Sequence, residues 1–196
     1  MLLTCGTYYH LYNHAISTEN LFHSDKNFNF FIEKYQLYIN PIVKTYAYCL
    51  MPNHFHFLIQ VRDEEEILKN LAGFRNLQGL KNLNRQFSNF FNSYAKAFNK
   101  MFERTGKLFR NSMKLKEVTD EDYLVKLIHY IHLNPVFHGF VTEPSDWKFS
   151  SFHAYTNSRE TLLEEDAVMD LFKGRDGFYE YHKRKIDEGL LDELEL

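Results

Sequence analysis

Residues 43–61 leave the chain little freedom. Val43 to Leu50 and His54 to Val61 are two short runs rich in apolar, aromatic and β-branched residues, with only Met51-Pro52-Asn53 between them. Runs of that composition read as strands, and so short a link makes them a hairpin. Successive side chains on a strand point to opposite faces. His54 and His56 therefore share one face, and Phe55 and Phe57 share the other. Two imidazoles side by side on a rigid strand can chelate one divalent cation. The competing reading is a pair of partly buried, structural histidines.

Taken from its start, the chain offers an aromatic strand from Tyr8 to Ile16, with His10 and His14 read as exposed or hydrogen-bonded strand residues. Ser24-Asp25 opens a helix that runs to about Asn40 and stops at Pro41. After the hairpin, Asp63-Glu64-Glu65-Glu66 places acids at the positive end of another helix. A weaker stretch containing Gly73 and Gly79 leads into a long helix from about Leu83 to Arg104. Its Phe87, Phe90, Phe91, Tyr94 and Phe98 form a core stripe. Thr105-Gly106-Lys107 is a turn, and Leu108 to Val118 reads as a fourth strand with Arg110, Lys114 and Lys116 on one face. Thr119 to Asp122 caps a helix whose stripe is Leu124, Leu127, Ile128 and Ile131, and which is expected to end at Asn134-Pro135. Tyr123, Lys126, Tyr130 and Asn134 line a different face of that helix. Residues 139–155 look loop-like, and short acidic helices come after them from about Leu162.

Charge narrows the partners. The formal net charge is −3, but 12 acids and 5 bases fall in residues 160–196, which leaves residues 1–159 at +4. Between Lys69 and Lys116 eleven Lys and Arg residues face one acid, Glu103. A block this basic suits a phosphate backbone, and a solvated helical face is the plainer alternative. The two cysteines, Cys5 and Cys49, form no disulfide framework, which suits a reducing cytoplasm. No run approaches the length of a membrane span, and a cytoplasmic, nucleoid-associated protein is expected. No internal repeat is visible.

A tyrosine hydroxyl, with a pKa of about 10, is a poor nucleophile unaided. Beside a divalent cation held by His54, His56 and an amide oxygen, Tyr130 could attack a DNA phosphodiester and keep the bond energy in a covalent phosphotyrosine link.

Leu50-Met51-Pro52-Asn53-His54-Phe55-His56-Phe57-Leu58-Ile59, Tyr130-Ile131-His132-Leu133-Asn134-Pro135-Val136 and Asp146-Trp147-Lys148-Phe149-Ser150-Ser151, with the Tyr9-His10-Leu11-Tyr12-Asn13 opening, carry a family resemblance. Over roughly residues 7–156 the chain resembles the REP-associated branch of the single-tyrosine HUH transposases. The resemblance implies an α+β fold, a ferredoxin-like or RRM-like antiparallel sheet packed by helices. It also implies a Mg²⁺- or Mn²⁺-dependent enzyme that nicks and rejoins single-stranded, hairpin-forming DNA. By position, Tyr130 is the nucleophile and His54 and His56 are metal ligands. Asn134 is the third ligand or else only the C-cap before Pro135, and Tyr123 is a rival nucleophile. Lys107, Arg110, Lys114, Lys116 and Lys126 are the candidate DNA contacts, Lys126 from helix spacing alone. A monomer is expected in this branch. The domain is expected to span residues 1–156, with 157–196 an acidic helical appendage that either shields the DNA groove or serves solubility. A nucleic-acid-binding module without catalysis, and a hydrolase that activates water, are the two other function classes.

Overall fold

The hairpin forms the outer half of a four-stranded sheet in the computed structural model, which describes residues 3–71, 83–110, 114–156 and 161–185. Strand β2 (Val43–Met51) pairs with β3 (His54–Val61), with Met51 opposite His54. β3 pairs in turn with β1 (Tyr8–His14), and β1 with β4 (Lys114–Val118), every pair antiparallel, in the order β2-β3-β1-β4. Helix α1 (Asp25–Tyr38) carries the chain from β1 to β2. Helices α2 (Glu64–Asn70) and α3 (Leu83–Met101) carry it from β3 to β4. Each crossover skips one strand. This is the expected α+β, ferredoxin-like topology.

The strand alternation assigns the two faces. Tyr9, Leu11, Phe55, Phe57 and Ile59 point to the side covered by α1 and α3. There the α3 stripe is buried as expected, with Phe31 packed within 5.0 Å, centroid to centroid, of Phe55, Phe90 and Tyr94. Each such ring contributes about 1.5–3 kcal/mol when withdrawn from water. The opposite face carries Tyr8, His10, Tyr12 and His14 of β1, His54, His56 and Leu58 of β3, and Lys114, Lys116 and Val118 of β4, as the registers require.

Helix α4 (Glu121–Phe137) covers that second face. Asp120 caps it, its carboxylate accepting the Tyr123 N–H at 2.8 Å. The end differs from expectation: the helix continues through Pro135. It stops two residues later, at Phe137, in a Schellman turn, with Gly139 at φ +71, Phe140 N–H donating to the Pro135 carbonyl and Gly139 N–H to that of Val136. Gly139, not Pro135, is the terminator, so Asn134 lies inside the helix and is not its C-cap. The fourth strand is also shorter than expected. Leu108 and Phe109 precede it, Phe109 forming one isolated bridge to Ala15, and the expected strand's residues 111–113 lie outside the described residues, as do Gly73 and Gly79.

Residues 139–151 are irregular as expected, apart from a 3₁₀ turn at Pro144–Asp146, but residues 147–155 are pinned against the sheet. They run along the outer edge of β2, where Trp147 Nε1 donates to the Leu50 carbonyl and Ser151 N–H to that of Tyr48, and then form α5 (Phe152–Thr156). The acidic segment forms α6 (Glu165–Leu171) and α7 (Arg175–His182), as expected of short helices. Their Val168, Phe172 and Phe178 are buried in the same cluster as Leu124, Leu127 and Ile131 of α4. A hydrogen-bond chain joins these parts. His182 Nδ1 donates to the Phe178 carbonyl, so its Nε2 accepts from His132 Nδ1 at 2.8 Å, and His132 Nε2 accepts the Ser151 hydroxyl at 2.8 Å. Residues 161–185 thus complete a core, whatever their acidic outer face does.

Candidate active site

The candidate residues come from two elements that the sequence separates by some seventy positions. β3 places His54 and His56 two residues apart on the face that α4 covers. α4 presents Tyr130 and Asn134 one turn apart, and therefore on one side of the helix. The four meet. His54 Nε2 lies 2.9 Å from Asn134 Oδ1, and the Tyr130 ring stands edge-on to His56 with centroids 5.4 Å apart. The two histidine rings are 5.2 Å apart and nearly perpendicular.

Burial governs the charge state here. His54 and His56 are 4% and 3% exposed. Desolvation pulls His54 down to about 3, against the Asn134 contact, which favours the charged form. It holds His56 well below its ordinary value, and the neighbouring His10 adds to the effect. Both rings are therefore neutral at pH 7, the form in which imidazole ligates metals.

The donor set fits a divalent cation. His54 Nδ1 is 2.8 Å from Asn53 Oδ1, so a neutral ring that donates there turns a bare Nε2 lone pair toward Asn134 Oδ1. Two acceptors 2.9 Å apart repel unless something positive lies between them or the amide is turned. The separation is close to the roughly 3 Å between adjacent ligands of an ion with bonds of about 2.1 Å. Asn134 Nδ2 is buried without a hydrogen-bond partner, so the amide is not satisfied by the protein alone. No group of three His, Cys, Asp or Glu suited to a metal occurs among the described residues. A cation at this place would take the amide oxygen as its third protein ligand.

Three further histidines, whose site role is not read from sequence, crowd the pair. His10 is fully buried with its Nε2 2.9 Å from His56 Nδ1. His14 stacks on His54 at 4.9 Å, and His138 stands against His54 at 5.0 Å. The spacing of His10, Tyr12 and His14 contained the signal, since alternate residues share a face. Its use requires knowing that β1 pairs with β3.

The predicted DNA contacts divide into groups. Lys107, Arg110 and Lys114 line a groove of about 980 Å³ between α3 and the β1–β4 edge, together with Lys96 and Tyr12. Arg110 is not on the strand face; it precedes β4, its N–H bonded to the His14 carbonyl. Lys114 and Lys116 project from β4 on the histidine side, opposite Tyr12 and His10, with their ammonium groups over the Tyr12 and Tyr123 rings. Arg110 and Lys114 lie near enough to His14 to oppose its protonation beyond the effect of burial. Lys126 is half-buried on α4. Tyr123 sits two turns before Tyr130, about 10 Å along the helix, beside Lys116 rather than the His pair.

Comparison with known proteins bears on the fold. The chain is 28% identical over 112 residues to a Haemophilus influenzae protein that carries the provisional name REP-associated tyrosine transposase. The match takes in 56% of this chain and 59% of that protein. Among solved structures, that of a REP-associated tyrosine transposase bound to a REP hairpin superposes with a TM-score of 0.56. It is 16% identical and spans 83% of this chain and 87% of the other. The chain resembles the REP-associated tyrosine transposases. No family model matches it. The described helices include none long and apolar enough to cross a membrane.

Proposed function

We propose that the protein is a REP-associated-type tyrosine transposase that nicks and rejoins single-stranded, hairpin-forming DNA. The observation that carries this reading is the convergence of Tyr130 and Asn134 from α4 on His54 and His56 from β3. A structural histidine pair has no need of an amide oxygen at each nitrogen of one neutral ring, which can donate to only one of them, or of a tyrosine at its edge.

In the reaction the Tyr130 hydroxyl gives up its proton to solvent as its oxygen forms a bond to the scissile phosphorus, and the bond from phosphorus to one sugar oxygen breaks. The released sugar oxygen takes up a proton to become a free hydroxyl end. The other strand end stays joined through phosphate to Tyr130, and attack by a hydroxyl end on that link reseals DNA and frees the tyrosine. His54, His56 and Asn134 would hold Mg²⁺ or Mn²⁺. Such an ion supplies Lewis-acid polarisation of the phosphate oxygens. Tyr130 is only 3% exposed, so the phosphate reaches it once the face between α4 and the sheet opens. Lys114 and Lys116 border that face and the groove basic residues extend it, giving an anionic backbone a positive approach.

The test is incubation with labelled single-stranded hairpin DNA, with Mn²⁺ or with EDTA, and then a denaturing gel. A metal-dependent, protease-sensitive adduct that disappears in Tyr130→Phe is expected. Cleavage without an adduct, unchanged in the variant, would identify a water-activating hydrolase. A shifted but intact hairpin would identify a binding module.

A further inference from the structure

The contact behind His56 assigns a role to a residue outside the ligand set. His10 lies on β1, which is hydrogen-bonded on both sides, and its ring is held against Tyr12 at 4.7 Å and His56 at 5.1 Å. Its Nε2 is 2.9 Å from His56 Nδ1. A contact of that length between two ring nitrogens needs a proton on one and a lone pair on the other. Two arrangements satisfy it. If His56 donates from Nδ1, its Nε2 keeps a lone pair and His10 carries its own proton on Nδ1. If His10 donates from Nε2, the proton of His56 sits on Nε2 and closes that atom to any cation. The tautomer of His10 and the capacity of His56 to ligate are therefore one variable.

The other nitrogen of His10, Nδ1, is buried without a hydrogen-bond partner. An apolar residue like Leu58, its opposite number on β3, would fill the position with no such orphan. A polar ring is kept at a site where packing alone disfavours it.

We propose that His10 is a positioning residue: it accepts the Nδ1 proton of His56 and so holds that imidazole in the tautomer and orientation that offer Nε2 to a divalent cation. The inference rests on the metal-dependent reading above and deepens it. Partners of this kind behind a ligating histidine typically change metal affinity 10- to 100-fold when removed.

Two measurements on the intact protein test the role. The first is a long-range ¹H–¹⁵N spectrum of the histidine rings in metal-free protein, with His56 assigned by its loss in His56→Gln. The proton is expected on Nδ1; a His56 proton on Nε2 overturns the proposal without recourse to any variant at His10. The second is calorimetric titration with Mn²⁺. His10→Phe is expected to bind about 10- to 100-fold more weakly, and His10→Gln, whose amide oxygen can accept the same proton, to recover most of the loss. Affinity in His10→Phe equal to wild type overturns the role of His10 alone. Absence of Mn²⁺ binding by the wild type overturns the metal reading itself.

Discussion

Helix α4 has a histidine cluster on each side, and the two differ in how their protons are fixed. Toward the C-terminal helices, His132 and His182 form a chain that ends on the Phe178 carbonyl at one end and on Ser151 at the other. A carbonyl only accepts, so the tautomers of both histidines in that chain are assigned. Toward the sheet, His54 ends on two side-chain amides and His56 on another histidine. Nothing there forces a direction, and two polar atoms, His10 Nδ1 and Asn134 Nδ2, are left over. Desolvation holds both sets below the ordinary histidine range. Burial therefore does not separate structure from function in this protein. The difference lies in whether the hydrogen bonds close on themselves or stay open toward a further partner.

The sharpest break in this comparison is Tyr130→Phe. It is expected to abolish the covalent DNA adduct on a denaturing gel and to leave the melting temperature within a few degrees, since the ring packing is kept. His132→Ala, on the other side of the same helix, is expected to cost about 2–4 kcal/mol in denaturant unfolding. It leaves His182 and Ser151 without their partner and opens a cavity. Its folded molecules are expected to retain Mn²⁺ binding.

Acid should act through the closed cluster and its neighbour His129 too. Burial lowers His182 to about 3 and His129 to about 4. Between about pH 6.5 and those values the unfolded chain binds protons that the folded chain does not, so stability is complete above about 6.5 and falls as pH falls. The loss approaches about 1.4 kcal/mol per pH unit for each histidine that stays neutral, read from urea midpoints between pH 7 and 4.5. Lys114→Ala and Lys116→Ala probe the open side. Each is expected to reduce the slope of log affinity for hairpin DNA against log salt by about one, with no change in melting temperature. The smallest effect is expected of His129→Leu. It removes a buried Nε2 without a hydrogen-bond partner but also the ring's hydrogen bonds to the backbone of Arg184 and His182, and the two effects should leave stability within about 1 kcal/mol of the parent in either direction. A large loss would show that His129 belongs with the closed chain beside it.

Much of the fold is written locally. The hairpin at Met51-Pro52-Asn53, the α3 stripe, the Asp120 cap and the strand that spaces His54 and His56 all arise from neighbours in the chain, and the structure has them where residue pattern places them. Pro135 misled because its effect depends on the residues C-terminal to it. Pro135 removes one intrahelical bond, its absent N–H toward the Ile131 carbonyl, but the helix runs on to Phe137 and the αL position at Gly139 sets the end. The motif from Asp146 to Ser151 gave no sign that residues 147–151 would cover the edge of β2.

The sequence by itself determined which residues could do chemistry and on which face of its own element each would lie, because periods of 2 and 3.6 dictate both. Only the tertiary structure decided which faces meet. The pairing of β1 with β3 places His10 behind His56, and the docking of α4 sets Asn134 on His54 and Tyr130 beside His56. Contacts between residues 46 and 80 positions apart depend on the whole core closing at once, and no local window of the chain holds that information.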